Sequence, residues 1–250
     1  MISFIATSYN RPKLLERMLK SLVRQTDQDF ELLLMDDESP NPEVDEIAQK
    51  YIPKLRGFYS KSKVRESERS ARCRPAILVN KLLPLAMGDA IGYLSDDQEA
   101  SDGLVELVNK WFKECGKNVG YVGIGYRYVD WRTGKPLKAP LFVGDRDWIT
   151  NLSSYGLLRV RVPPAFVGYG KPITKVFSVL DSAQFFHTRD LSVVWNEDHI
   201  LGADAEAMQQ IVNLYGEAHP IGNVYRPMVC SNLNQASLTI TQSLERSIQE

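Results

Sequence analysis

Hydrophobic positions change period along the chain, and each change marks an element. Ile2-Ser3-Phe4-Ile5-Ala6 is a short, mostly apolar run of strand formers, the pattern of a parallel strand buried on both faces. Pro12 suits the first turn of a helix, and Leu14, Leu15, Met18, Leu19, Leu22 and Val23 then fall on one helical stripe. Phe30 to Met35 is a second strand-like run and Pro42 to Tyr51 a second helix, while Phe58-Tyr59 ends a third strand. Ala76 to Ala86 predicts a helix and Ala90 to Leu94 a strand. Asp102 stands at the N-cap position of a helix carrying Leu104, Val105, Leu107, Val108, Trp111 and Phe112, with Gly116 at its end. Strand alternating with helix implies right-handed crossovers and a doubly wound α/β sheet.

The second half is less regular. Val119 to Val129 predicts one strand, 131–136 a turn, Lys175 to Leu180 another strand, and Asp204 to Tyr215 a helix closed by Gly216. Pro163-Pro164, Gly168, Gly170 and Pro172 break the middle into loops, and no internal repeat is present.

Composition narrows the function classes. The 250 residues are 44% apolar and 24% charged, enough for a proper core in one large domain or two small ones. Thirty basic and 31 acidic residues leave a formal charge of −1, so no overall field recruits nucleic acid or an anionic membrane. No apolar run approaches the ~18 residues of a membrane helix, and the start has no signal-peptide pattern. Cys73, Cys115 and Cys230 lack metal-ligand spacing, so the expectation is a reduced, cytoplasmic protein. His187, His199 and His219 likewise share no metal spacing and are expected to be packed or exposed. Gly120 to Gly125 has the wrong spacing for a dinucleotide loop, and the glycosylation sequon at Asn151 is taken as chance.

The near-zero charge conceals an uneven distribution. In open parallel sheets, ligands bind beyond the carboxyl ends of the strands. There the chain carries three polar loops: Thr7-Ser8-Tyr9-Asn10-Arg11-Pro12, Asp36-Asp37-Glu38-Ser39 and Ser95-Asp96-Asp97. Asp36 to Glu46 holds six acids and no base, whereas Lys61 to Arg74 holds six bases against Glu66 and Glu68. An acidic loop facing a basic one suits a ligand that combines a diphosphate with a bound cation. The alternative is two surface segments that answer one another. A hard divalent cation takes carboxylate oxygens and keeps positions open for phosphate oxygens, which makes adjacent carboxylates plus a diphosphate a sensible shell.

These residues resemble the GT-A glycosyltransferases of family 2, most closely the spore coat polysaccharide branch. The resemblance rests on Thr7-Ser8-Tyr9-Asn10, Gln25-Thr26, Asp29-Phe30-Glu31-Leu32, Met35-Asp36-Asp37, Phe58-Tyr59, Arg69, Arg74, Asn80, Tyr93 and Asp96-Asp97. It runs without a gap from residue 2 to about 108 and then thins to Asp181 with His187, Trp195, and Gly202 before Asp204-Ala205. It implies a GT-A, Rossmann-like, mostly parallel sheet flanked by helices. Residues 1–125 would bind the nucleotide sugar, and 126–250 would supply acceptor binding and the catalytic base within the same domain. By position, Thr7 and Tyr9 would line the nucleobase pocket, Asp37 would accept the pyrimidine N–H, and Arg69 would lie by the base and phosphates. Asp96 would hold the ribose hydroxyls and Asp97 would ligate Mn²⁺ or Mg²⁺. Asp181 matches the family's general base, with Asp198 and Asp204 as competitors because other members use a Glu-Asp motif farther along; Asp204 is also a candidate helix cap.

The resemblance therefore implies an inverting, metal-dependent glycosyltransferase acting on a UDP- or dTDP-sugar, with a saccharide or other hydroxyl acceptor. No stable nucleic acid partner and no transmembrane segment are expected. A sugar-nucleotide-binding protein without catalysis is one alternative. A sugar-1-phosphate nucleotidyltransferase is disfavoured, since that chemistry needs a Gly-rich loop after the first strand. Trp131, Trp148, Tyr155, Phe166 and Tyr169 are candidates to stack on acceptor sugars, or core residues.

Overall fold

The computed structural model describes residues 1–63, 72–129, 136–142, 170–176, 180–190, 192–199, 202–224 and 226–233. Four parallel strands form its frame: β1 (Ile2–Ser8), β2 (Phe30–Asp36), β3 (Gly57–Lys61) and β4 (Ala90–Ser95), separated by α1 (Pro12–Val23), α2 (Glu43–Tyr51) and α3 (Arg74–Leu82). The chain continues through β5 (Gln98–Ala100), α4 (Leu104–Cys115), β6 (Val119–Tyr121), β7 (Gly123–Val129), β8 (Pro136–Phe142), β9 (Phe185–Thr188), α5 (Ala203–Tyr215), β10 (His219–Pro220) and β11 (Pro227–Leu233). The main sheet has the order β10-β6-β9-β4-β1-β2-β3, with β9 antiparallel to both neighbours. A second sheet has the order β5-β11-β7-β8.

The period-two alternation of the strands sorts their side chains between two cores. Ile2, Phe4 and Ala6 of β1, with Phe30, Leu32 and Leu34 of β2, pack with Leu15, Met18, Leu22, Val44, Leu104 and Val108 from α1, α2 and α4. Ile5, Leu33, Met35, Ile91 and Tyr93 face the other way, toward Ala76, Val79 and Leu82 of α3 and Met208 and Ile211 of α5. Helices thus cover both faces, and the expected α/β GT-A-like architecture is the one observed. The predicted stripe of α1 is buried at Leu14, Leu15, Met18, Leu19 and Leu22.

Four expectations need correction. The single strand over Val119–Val129 is two strands in different sheets, broken at Val122. There the backbone turns to Gln184: the Val122 amide donates to the Gln184 carbonyl at 2.9 Å, and the Gln184 side chain donates to the Val122 carbonyl at 2.8 Å. Gly123 passes so close to the next layer that a Cβ would stand 2.2 Å from the Val224 carbonyl oxygen, which only glycine permits. The strand over Lys175–Leu180 is absent from its described residues; the Val176 amide donates instead to Gln209 Oε1 of α5 at 2.8 Å. Residues 177–179 lie outside the description. Finally, α4 is flanked by Gly103 rather than capped by Asp102, whose carboxylate points to Arg24 at 3.4 Å, although Gly116 ends that helix in the left-handed conformation as expected. Asp204 is likewise no cap: α5 follows Gly202, and Asp204 sits in its first turn.

Candidate active site

The register of β1, β2, β3 and β4 brings their carboxyl ends level, with Ser8 opposite Asp36, Thr7 opposite Ser95 and Asp36 opposite Lys61. Backbone bonds extend the ladder into the loops: Asp37 donates to Ser8 at 2.8 Å, Ser62 to Asp36 at 2.8 Å and Asp96 to Thr7 at 3.1 Å. The three polar loops singled out in the sequence are therefore one edge of one sheet. Both non-glycine residues at positive φ among the described residues lie here, Asn10 (53°) and Glu38 (56°). Such backbone is uncommon outside glycine and persists where the surroundings impose it; the Asn10 amide is tied to Ser39 Oγ at 2.7 Å. Tyr9 beside it is 39% exposed at this edge.

Asp96 and Asp97 face one cation. Arg11 reaches Asp96 Oδ1 with Nη2 and Asp97 Oδ2 with Nη1 at 2.7 Å, so its planar fork bridges the two carboxylates. The second oxygen of Asp96 accepts the Tyr9 amide at 3.0 Å, and Ser95 Oγ donates to the second oxygen of Asp97. Asp96 is fully buried, which pushes its carboxyl up to about 6 against the downward pull of Arg11, with neighbouring Asp97 adding to the rise. The Asp97 side chain stays 10% exposed. Its carbonyl accepts the backbone amide of Asn232 at 2.7 Å and the Asn232 side chain at 3.0 Å, so β11 clamps the acidic pair from behind.

The acidic and basic segments do meet. Arg74 Nη2 donates to Asp37 Oδ1 at 2.6 Å and Lys61 pairs with Asp45 at 2.6 Å. Part of the charge complementarity is thus satisfied within the protein. Arg69 falls outside the described residues, as do Trp131, Trp148, Tyr155, Phe166 and Tyr169.

Asp181 lies in a different setting. Its carboxylate accepts the Ala183 amide at 2.9 Å, and its backbone amide donates to Gln184 Oε1 at 3.0 Å, a capping box on the short 3₁₀ turn Ser182–Gln184. Gln98 Nε2 donates to the same oxygen, Oδ1, at 2.9 Å, which connects Asp181 to the residue after Asp97. Burial pushes the Asp181 carboxyl up to about 6, opposed by its bond from Ala183 and reinforced by the charges of Asp204 and Asp97. Of the competing carboxylates, Asp198 has 84% of its side chain exposed and faces Arg72, and Asp204 is half-buried close enough for its charge to reach Asp181. His187 is a packed histidine: Nδ1 lies against the Thr188 carbonyl at 2.8 Å and Nε2 against the Tyr93 hydroxyl at 2.9 Å. His199 is exposed and lies 2.7 Å from Glu206, and His219 is half-buried 3.2 Å from Glu217. Among the described residues no three His, Cys, Asp or Glu side chains form a metal-holding group.

Sequence reasoning gave no role to Arg11, Gln98, Gln184 or Asn232. The Asp-x-x-Gln spacing of Asp181 and Gln184 was a readable signal; the contacts of Arg11 and Asn232, 86 and 135 residues from Asp97, left none.

Comparison with known proteins bears on this arrangement. Residues 3–172 match the family model described as Glycosyl transferase family 2. Protein CgeD of Bacillus subtilis is 42% identical over 96 residues, covering 38% of this chain and 22% of that protein. Among solved structures, S. aureus TarS superposes with a TM-score of 0.63 at 16% identity, over 93% of this chain and 36% of that one. A shorter TarS chain in complex with UDP-GlcNAc gives 0.64 at 16% identity, over 94% of this chain and 59% of that one. The mannosyltransferase PcManGT from Pyrobaculum calidifontis, in complex with GDP-Man and Mn²⁺, gives 0.54 at 14% identity, over 100% and 64%. The chain thus spans about a fifth of CgeD and less than two thirds of these solved chains. At these identities the solved structures establish a shared fold. No helix among the described residues is long and apolar enough to cross a membrane.

Proposed function

The chain belongs to glycosyl transferase family 2, and from that premise we propose that it is an inverting, metal-dependent glycosyltransferase moving a sugar from a UDP- or dTDP-sugar to a hydroxyl acceptor. The observation that carries the reading is the convergence at one sheet edge of Tyr9, Asp37, Asp96 and Asp97, with Asp181 joined to them through Gln98. Sequence reasoning placed the same residues in the donor site and the base position by resemblance alone. UDP-GlcNAc, the nucleotide sugar in the TarS complex, is the donor to test first.

In this reading Thr7 and the ring of exposed Tyr9 pack against the nucleobase. Asp37, steered by Arg74, accepts the N3–H of uracil or thymine, a proton that cytosine lacks. Asp96 receives the ribose hydroxyls, and Arg69, assigned from the sequence match, lies by the base and phosphates. The residues fit a hard divalent cation: Asp97 offers carboxylate oxygen at the rim, and a guanidinium already sits against that carboxylate as a stand-in cation. Asp97, with Asp96 beside it, would hold Mn²⁺ or Mg²⁺, which when bound supplies Lewis-acid stabilisation of the departing diphosphate.

Asp181 acts as the base. Its ionised carboxylate takes the acceptor hydroxyl proton as the oxygen attacks the sugar C1 from the face opposite the diphosphate. The new C1–O bond forms as the bond to the phosphate oxygen breaks, the diphosphate leaves with that electron pair, and the configuration at C1 inverts. A carboxyl held near 6 is ionised at neutral pH yet more basic than an ordinary aspartate. We assign donor binding to residues 1–125 and acceptor binding with the base to 126–250, and take a cell-surface saccharide of the spore-coat type as the acceptor. A cytoplasmic setting belongs to the same reading.

Isothermal titration with UDP in the presence and absence of Mn²⁺ tests the donor assignment. Metal-enhanced binding is expected, and equal affinity with and without metal overturns it. Binding without any hydrolysis across a panel of nucleotide sugars would favour a sugar-nucleotide-binding protein instead.

A further inference from the structure

We propose that Arg11 is the resident counter-ion of the donor site, a tethered cation that holds Asp96 and Asp97 together until a metal-bound diphosphate displaces it. The inference rests on the reading of Asp97 as metal ligand. It adds that metal and nucleotide bind cooperatively because each removes an obstacle to the other.

The geometry makes Arg11 and a metal ion competitors. All four oxygens of the two carboxylates are engaged: Asp96 by the Tyr9 amide and Arg11, Asp97 by Ser95 and Arg11. A divalent cation approaching Asp97 Oδ2 meets a guanidinium nitrogen 2.7 Å from that oxygen, so two positive charges contend for one acceptor. Removing the guanidinium with nothing in its place leaves two adjacent, desolvated carboxylates uncompensated, since Asp96 is fully buried. The site therefore needs a cation at all times, and Arg11 is the one the chain carries with it.

Arg11 is also placed to leave. Its side chain is 28% exposed, against 0% for Asp96, so part of its length already lies toward solvent although the guanidinium itself is held among the carboxylates. It stands between Asn10, whose positive φ turns the chain at the end of β1, and Pro12, which opens α1. The Asn10 amide is tied to Ser39 Oγ at 2.7 Å and the Pro12 ring restricts its own φ, so the displacement asked for is one of the Arg11 side chain. A diphosphate offers the same planar fork several oxygens in place of carboxylates. Once Arg11 moves to phosphate, Asp97 Oδ2 is open to the metal. By linkage, whatever factor the nucleotide adds to metal affinity the metal adds to nucleotide affinity.

The test is a Mn²⁺ titration followed by the electron paramagnetic resonance of the free ion, on the wild type, Arg11→Gln, Arg11→Lys and Asp97→Ala, each with and without UDP, with folding checked by circular dichroism. In the wild type, Mn²⁺ alone binds weakly and UDP strengthens it. In Arg11→Gln, Mn²⁺ alone binds about tenfold tighter or more than to the wild type, and the strengthening by UDP shrinks. Arg11→Lys, whose ammonium cannot span both carboxylates, falls between them; should Arg11→Gln not fold, this comparison carries the test. Thermal unfolding adds a second readout: without metal Arg11→Gln melts below the wild type, and Mn²⁺ raises it by more. Equal or weaker Mn²⁺ binding by the folded Arg11 variants, with UDP still enhancing it, overturns the role of Arg11 and leaves the metal assignment standing. Undiminished Mn²⁺ binding by Asp97→Ala in the presence of UDP overturns the metal assignment and this inference with it.

Discussion

Asn232 offers the sharpest test of how the acidic pair is held. It is fully buried in β11, and its side-chain Nδ2 donates to the Asp97 carbonyl at 3.0 Å and to Glu99 Oε1 at 2.8 Å. Replacing it with alanine removes a neutral bond of about 1 kcal/mol and a charge-assisted bond of about 2 kcal/mol. Against this, Asn232 Oδ1 is buried with no hydrogen-bond partner among the described residues, and deleting it relieves a standing cost of about 1 kcal/mol. The backbone bond from the Asn232 amide to the Asp97 carbonyl at 2.7 Å survives, and Glu99 keeps Arg17 at 2.7 Å. The net expectation is a destabilisation of about 2 kcal/mol, or a Tm lower by about 4–8 °C for a chain of this size. Because the lost bond positions Asp97, UDP affinity in the presence of Mn²⁺ falls several-fold while affinity without metal is unchanged. Asn232→Asp, which sets a carboxylate against Glu99 and the same carbonyl, is expected to be worse than alanine on both counts. Urea denaturation and titration calorimetry measure the two effects. Wild-type stability together with wild-type metal-dependent affinity in Asn232→Ala would refute the clamp.

Three further outcomes follow from the site and the core. In the proposed base role, Asp181, with its carboxyl pushed up to about 6, must lose its proton to act, so the transfer rate is expected to fall about tenfold per pH unit below 6 and level off above it. Asp181→Asn removes transfer and leaves UDP titration intact, and retained transfer would move the base to Asp198 or Asp204. Burial drives the His187 imidazole down to about 4. As pH drops from about 6.5 toward 4, the unfolded chain takes up this proton and the folded one does not, so stability is lost over that window, approaching about 3 kcal/mol. Asp96 and Asp181, both raised to about 6, act oppositely, because the folded state binds their protons first as pH falls. The difference in urea-derived stability between the wild type and His187→Gln is therefore the quantity to follow, and it should shrink toward acid. Gly92→Ala sets a Cβ 2.6 Å from the Phe186 ring and 3.2 Å from that of Phe4, an overpacking of about 1–3 kcal/mol readable as a lower urea midpoint.

How much of this was readable depends on whether a residue's partners are near in sequence. The strands β1, β2 and β4 are buried on both faces, so their continuous apolar runs announce them, and parallel pairing then forces their carboxyl ends to one edge. That is why the loops holding Tyr9, Asp37 and Asp96-Asp97 stood out as a set. The break at Val122 was invisible, because Val119 to Ile124 remains apolar or glycine whichever sheet it serves. In the described part of Lys175–Leu180 the expectation failed for a related reason: Val176 is buried and β-branched, yet its amide is satisfied by a helix side chain instead of a ladder. Charge told more than expected and also less. The opposed segments at Asp36–Glu46 and Lys61–Arg74 do pair, at Asp37 with Arg74 and Asp45 with Lys61, so that complementarity is partly internal. The unread element was a single basic residue outside the basic run. In the sequence Arg11 is just one member of the polar loop after β1, and only the alignment of β1 beside β4 delivers it to both aspartates. A near-neutral chain can therefore gather a strongly acidic cluster at one sheet edge and place its own cation against it.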